Sequence, residues 1–136
     1  MRKLVLKTPP YLYSITVTVL ILYLTLVPNP LPDDTPAMFP HADKIVHAVM
    51  FWAFYTSFAI DRMRQQIKDG LSSRLSRKWL ATIMTTTITF GLAIEIAQFA
   101  MGLGRGCDML DFVADVVGAV VASYTFRPIR HSILRR

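Results

Sequence analysis

Thirteen of the fifteen Lys and Arg residues fall into three clusters, and long apolar runs separate the clusters. The first holds Arg2, Lys3 and Lys7. The second holds Arg62, Arg64, Lys68, Arg74, Arg77 and Lys78, and the third Arg127, Arg130, Arg135 and Arg136. Two apolar segments lie between each neighbouring pair of clusters. A chain that crosses a bilayer four times puts all three on one face, and cytoplasmic faces carry the excess of Lys and Arg. The pattern predicts an all-α integral membrane bundle of four transmembrane helices with both termini cytoplasmic. The two remaining cations, Lys44 and Arg105, fall on the opposite face.

The spans are expected at about 11–27, 44–60, 79–101 and 108–126, in a single domain covering 1–136. The first ends at Pro28 and Pro30, which cannot continue a helix. Its basic start and apolar run have the outline of a signal peptide. No small-x-small cleavage site follows, so the segment is read as an uncleaved span. Asp43 is placed to cap the second span by accepting from unpaired backbone N–H groups. Residues 61–78 read as a polar cytoplasmic loop, with an amphipathic helix as the alternative. The charge-free part of the fourth segment, 116–126, is short for a crossing. A re-entrant segment is one reading; a full crossing is favoured because it keeps the basic tail 127–136 inside.

Composition agrees with a membrane protein: 53% of residues are hydrophobic, and the mean hydropathy is +0.41. The formal charge of +6 would also suit nucleic acid. The basic residues flank apolar runs and no base-reading motif is present, so nucleic acid is not expected as a partner. Anionic lipid headgroups account for the charge. Cys107 is the single cysteine, which rules out an intramolecular disulfide.

Three polar stretches share the outer end of the predicted bundle. They are Asp43, Lys44 and His47; Glu95 and Gln98; and Arg105, Asp108, Asp111 and Asp115. Helical spacing puts Gly91, Glu95, Gln98 and Gly102 on one face of the third span. It puts Asp108, Asp111, Asp115, Gly118 and Ala122 on one face of the fourth. Small residues let helices approach closely in a bilayer, and lipid-facing carboxylates are costly. The three faces are therefore expected to converge on one outer pocket.

Capping accounts for Asp43, and for Asp108 and Asp111 as a capping box with an acid at both ends. Lys44 is placed either to enter the pocket or to snorkel toward headgroups. Capping does not account for Glu95 or Asp115, which sit inside apolar segments. The structural reading pairs Glu95 with Arg105 or Lys44 to order the helices. The functional reading makes the intramembrane acids a site. Five acids face two fixed cations there, so either some acids are protonated or a cation binds. That cation is a ligand amine or a metal. His47 with carboxylates suits Zn²⁺ or Mn²⁺ chemically, but no ligand spacing is diagnostic. No metal or other cofactor is assigned. No residue is assigned as catalytic, although Glu95 and His47 have the chemistry for acid–base work.

Asp43-Lys44 with His47, Glu95 with Gln98, Arg105, Asp111 and Gly118 together resemble the VanZ-like family of small bacterial membrane proteins. The order and spacing match from Asp43 to Gly118, and the Glu-x-x-Gln…Arg…Asp portion is the specific part. Two positions depart from the family pattern. Asp115 stands where Asn is usual, and Ala122 where a second Gly is common. The resemblance implies a multi-pass protein of the bacterial cytoplasmic membrane linked to resistance to glycopeptides, teicoplanin above all. The expected partners are membrane lipids and a lipid-linked envelope precursor or lipophilic antibiotic. The pocket is read as binding such a molecule. The alternatives are a membrane-embedded hydrolase or transferase, and a scaffold whose polar network only orders the helices.

Overall fold

The computed structural model describes residues 7–27, 42–102 and 108–134. These form four helices and no strand: α1 Leu12–Leu26, α2 Ala42–Lys68, α3 Arg77–Met101 and α4 Met109–Leu134. The loop from 28 to 41, Arg105 and Cys107 lie outside the described residues. Ser76 caps α3 by accepting from the Trp79 N–H at 3.3 Å. Gly102 ends it in the left-handed region at φ 61°, where a residue without Cβ is unstrained. Gly102 is thus an exposed helix terminator, not a member of the buried face expected from its spacing.

Helix α2 is the hub and packs against each of the other three. Its aromatic side chains meet α3 through Phe54 and Phe90, stacked with centroids 4.6 Å apart. A second apolar group, nearer the basic end, joins Tyr55, Ala59 and Met63 of α2 to Ile83, Ala122 and Phe126.

Two element boundaries differ from the sequence expectation. Helix α2 does not end near Ile60 but runs to Lys68, so only residues 69–76 connect it to α3. The charges read as the start of a loop are internal. Asp61 and Arg64 are each 2% exposed and paired at 2.7 Å, one turn apart. Asp61 also accepts from the Ser14 backbone N–H at 2.9 Å and from the Ser14 hydroxyl. Arg64 donates to the Thr8 carbonyl at 2.5 Å and lies over the Tyr13 ring. The pair clamps α1 onto α2. Helix α4 likewise runs past Phe126, through Pro128, to Leu134. Its 26 residues span about 39 Å as one uninterrupted helix, which is not a re-entrant hairpin.

Helices α3 and α4 are long and apolar enough to cross a membrane. Helix α1 is apolar but has only 15 residues, about 22 Å. The distribution of polarity has the same sense. Among the described residues, buried polar or charged side chains are almost as numerous as buried apolar ones, eleven against twelve. Exposed positions carry Ile15, Val19 and Leu20 on α1, Leu92, Ile96 and Phe99 on α3, and Val113, Val117 and Val120 on α4. A bundle folded against water places its apolar residues inside. Here large apolar side chains are also exposed on three helices, while Asp61, Arg64, Glu95 and Asp115 are buried.

Candidate functional site

The first turn of α2, the last turns of α3 and the start of α4 meet at one end of the bundle. Asp43 lies in the first turn of α2, inside the helix and not at the cap position expected for it. Its carboxylate pairs with Lys44 at 2.9 Å, and this ammonium holds the Asp43 carboxyl below the usual carboxylate range.

Lys44 does not snorkel. Its ammonium lies 2.5 Å from Asp108 Oδ2 and 2.5 Å from Asp111 Oδ1, as well as beside Asp43. Three carboxylates thus converge on one cation, and they tie the N-termini of α2 and α4 together. Charge-assisted bonds of this kind are the strong ones.

Asp108 caps α4, accepting from the Leu110 N–H at 2.8 Å. A capping box would have Asp111 return a bond to the Asp108 N–H. Instead Asp111 goes to Lys44, and Glu95 of α3 fills the role: its Oε2 accepts from the Asp108 N–H at 3.0 Å. Half of the expected box is therefore supplied by a different helix. It also gives Glu95 a capping function that its mid-segment position did not suggest. The pairing of Glu95 with Lys44 foreseen by the structural reading is not formed, because Lys44 is committed to the three aspartates.

His47, one turn below Asp43, is buried between α3 and α4. Its Nδ1 is 2.9 Å from Asp115 Oδ1, and its Nε2 is 3.9 Å from Asp111 Oδ2. Asp115 and Glu95 are each 1% exposed. Among the described residues, Glu95 Oε1 and Asp115 Oδ2 have no hydrogen-bond partner. Buried oxygens are normally satisfied, so each calls for an explanation.

The structure thus brings together Asp43, Lys44, His47, Glu95, Asp108, Asp111 and Asp115. Gln98 is buried but turned toward α1, where its Nε2 donates to the Thr25 carbonyl at 2.9 Å. Among the described residues, five acids gather around one lysine and one histidine. Sequence reasoning missed the Ser14–Asp61–Arg64 cluster at the opposite end. Its signals were present: an acid and an arginine at i, i+3, and a serine among the apolar residues of the first span.

Beside the acidic end lies an open groove of about 380 Å³ between α2 and α4. Its walls are Ala48, Val49 and Trp52 on one side and Ala114, Val117 and Val121 on the other, with Lys44 at one end. Gly118 also lines the groove, and α2 and α4 approach closely there. A Cβ built there would stand 2.1 Å from the Ala48 carbonyl oxygen. No family model, curated protein or solved structure matches this chain.

Proposed function

We propose that this chain is a four-span protein of the bacterial cytoplasmic membrane, VanZ-like in kind, that binds a cell-envelope amphiphile at its outer end. The observation that carries this reading is the juxtaposition of the apolar groove with the acidic cluster around Lys44. The groove suits an acyl chain. The cluster suits a cationic amine, since Lys44 is already neutralised by carboxylates and has no charge to offer a phosphate. Lipids, lipid-linked precursors and lipophilic glycopeptides of the teicoplanin type are the classes that combine such parts. Each offers a long apolar chain for the groove, and those members that also carry a protonated amine match the cluster.

A fluorescent long-chain alkylamine, titrated into the full-length protein in nanodiscs, tests this. Saturable binding above that of empty nanodiscs is expected. The N-acetylated probe should bind about tenfold more weakly or worse, as loss of one charge-assisted contact in a partly dry site implies. Val117→Trp, which fills the groove, should weaken both probes. Equal binding of amine and amide forms would remove the acidic cluster from recognition. A hydrolase remains the second reading on one observation, the His47–Asp115 pair at 2.9 Å, which has the geometry of an oriented general base. Release of product from an acylated or phosphorylated amphiphile, lost in His47→Gln, would favour it over binding alone.

The topology has its own test. Cys107 lies in the outer connection between the third and fourth spans under this reading, and it is the single thiol. A membrane-impermeant maleimide added to intact spheroplasts is expected to label it. Labelling only after permeabilisation would invert the topology.

A further inference from the structure

We infer that His47, Glu95 and Asp115 form a divalent-metal site of the Zn²⁺ or Mn²⁺ class at the centre of the acidic end. The inference does not rest on the amphiphile reading, because the three side chains face the bundle interior and line no part of the groove. Each comes from a different helix, α2, α3 and α4. One ligand atom from each lies within 4.8 Å of the other two. All three residues are buried.

Two further observations point to an ion. The first is the unsatisfied oxygens. Glu95 uses Oε2 on the Asp108 N–H, while Oε1 has no partner among the described residues. A 1%-exposed carboxylate with an idle oxygen is a costly arrangement unless something positive meets it. The second is the spacing. Two ligand atoms each about 2.1 Å from one ion stand roughly 3.0–3.4 Å apart. His47 Nδ1 and Asp115 Oδ1 are hydrogen-bonded at 2.9 Å, so an ion that replaces the shared proton requires little change in their separation. A side-chain adjustment of about 1.4 Å brings any remaining atom from the 4.8 Å limit to the same distance.

The surroundings fit as well. A ligating histidine usually gives its other ring N–H to a carboxylate, which fixes the tautomer and the ring orientation. Asp111 Oδ2 faces His47 Nε2 at 3.9 Å, and Asp111 is itself held by Lys44 at 2.5 Å. The donor set has one imidazole nitrogen, two carboxylates and no thiolate. That favours Zn²⁺ or Mn²⁺ and disfavours the soft metals. A dication balances the two buried carboxylates while His47 stays neutral. Three protein ligands leave coordination positions open for water or a bound molecule.

Equilibrium dialysis of the full-length protein in nanodiscs against Mn²⁺ or Zn²⁺, with any polyhistidine tag removed, tests the proposal by elemental analysis. One tightly held ion per chain is expected. His47→Gln, Glu95→Gln and Asp115→Asn should each weaken binding by about a hundredfold or more, since loss of an outer-shell partner alone costs about 10–100-fold. Asp69→Asn, on the exposed connection after α2, should change nothing. In wild-type protein loaded with Mn²⁺, pulsed EPR should show coupling to one imidazole nitrogen, a readout that does not depend on any variant folding. Absence of saturable binding to the wild type, or binding without nitrogen coupling, would overturn the site. So would folded Glu95→Gln and Asp115→Asn proteins that bind with wild-type affinity. Loss of alkylamine binding with metal binding intact would fail the amphiphile reading alone.

Discussion

Asp61→Ala is expected to lower the unfolding free energy of the detergent-solubilised protein by about 3–5 kcal/mol, the usual cost of breaking one side of a buried ion pair. The reason is what the substitution leaves behind. Arg64 is 2% exposed, and Asp61 is the carboxylate facing it at 2.7 Å. Without Asp61 the guanidinium keeps the Thr8 carbonyl but loses its carboxylate partner among the described residues. The Ser14 N–H, in the first turn of α1, also loses its acceptor. Removing the cation as well relieves part of the penalty, so Asp61→Ala with Arg64→Met should cost less than the two single changes added together. Urea or SDS titration monitored by far-ultraviolet circular dichroism gives the four stabilities of the cycle. Additivity within error would mean that the Asp61 and Arg64 side chains do not act as a pair. Asp61→Asn should fall between, since the amide oxygen still accepts from Ser14 but brings no charge.

The two ends of the bundle share a device that the chain order conceals. Asp61 accepts from the first turn of α1, and Glu95 accepts from the Asp108 N–H that opens α4. In both cases a buried acid on one helix satisfies a donor that another helix leaves unpaired at its start. Periodicity along a single segment does not reveal this, because donor and acceptor are 47 residues apart in one case and 13 in the other. The sequence therefore supported a capping box at Asp108 and Asp111, a local rule. The structure splits that box and hands one half to Glu95.

Local spacing revealed most of the inward faces but not all, since Gly102 is exposed. On α4, Asp115, Gly118 and Ala122 of the expected face are buried, because a 3.6-residue period aligns them and carboxylates avoid lipid; Asp108 and Asp111, at the helix start, are partly exposed. Glu95 and Gln98 are buried on α3, and His47 on α2. The boundaries failed where charge was taken as an exit from the apolar phase. Asp61 and Arg64 marked a loop only on the assumption that ions face water; paired with each other, they continue the helix. Lys44 was open to two readings because one lysine's spacing cannot distinguish a headgroup from three aspartates on two helices. Helical spacing anticipated that the faces bearing His47, Glu95 and Asp115 converge; that one ligand atom from each comes within 4.8 Å of the other two was not legible, since the three lie on three helices with no fixed interval between them.

Gly118 is where the packing of α2 on α4 has the least tolerance, and Gly118→Ala is expected to be among the most damaging single-methyl additions in the chain. The added Cβ would lie 2.1 Å from the Ala48 carbonyl oxygen, 2.9 Å from its carbonyl carbon and 3.0 Å from its Cα. These are backbone atoms, so no rotamer change clears them, and the two helices must move apart. Overpacking of this sort costs about 1–3 kcal/mol and sometimes more. Here the movement also stretches bonds along the same seam: Lys44 to Asp108 and Asp111, His47 to Asp115, and Trp52 Nε1 to Thr125 at 2.8 Å. Gly91→Ala is the informative comparison. Its Cβ would meet Asp115 Oδ2 at 3.0 Å and Phe51 Cε1 at 3.1 Å, side-chain atoms that can shift by a few tenths of an ångström. Thermal unfolding in one detergent should therefore rank Gly118→Ala well below Gly91→Ala and the wild type. Ala48→Gly should not rescue Gly118→Ala, because the obstructing oxygen belongs to the main chain and stays in place. Rescue by Ala48→Gly, or equal stability of the two alanine variants, would mean that α2 and α4 do not touch backbone to backbone at this point.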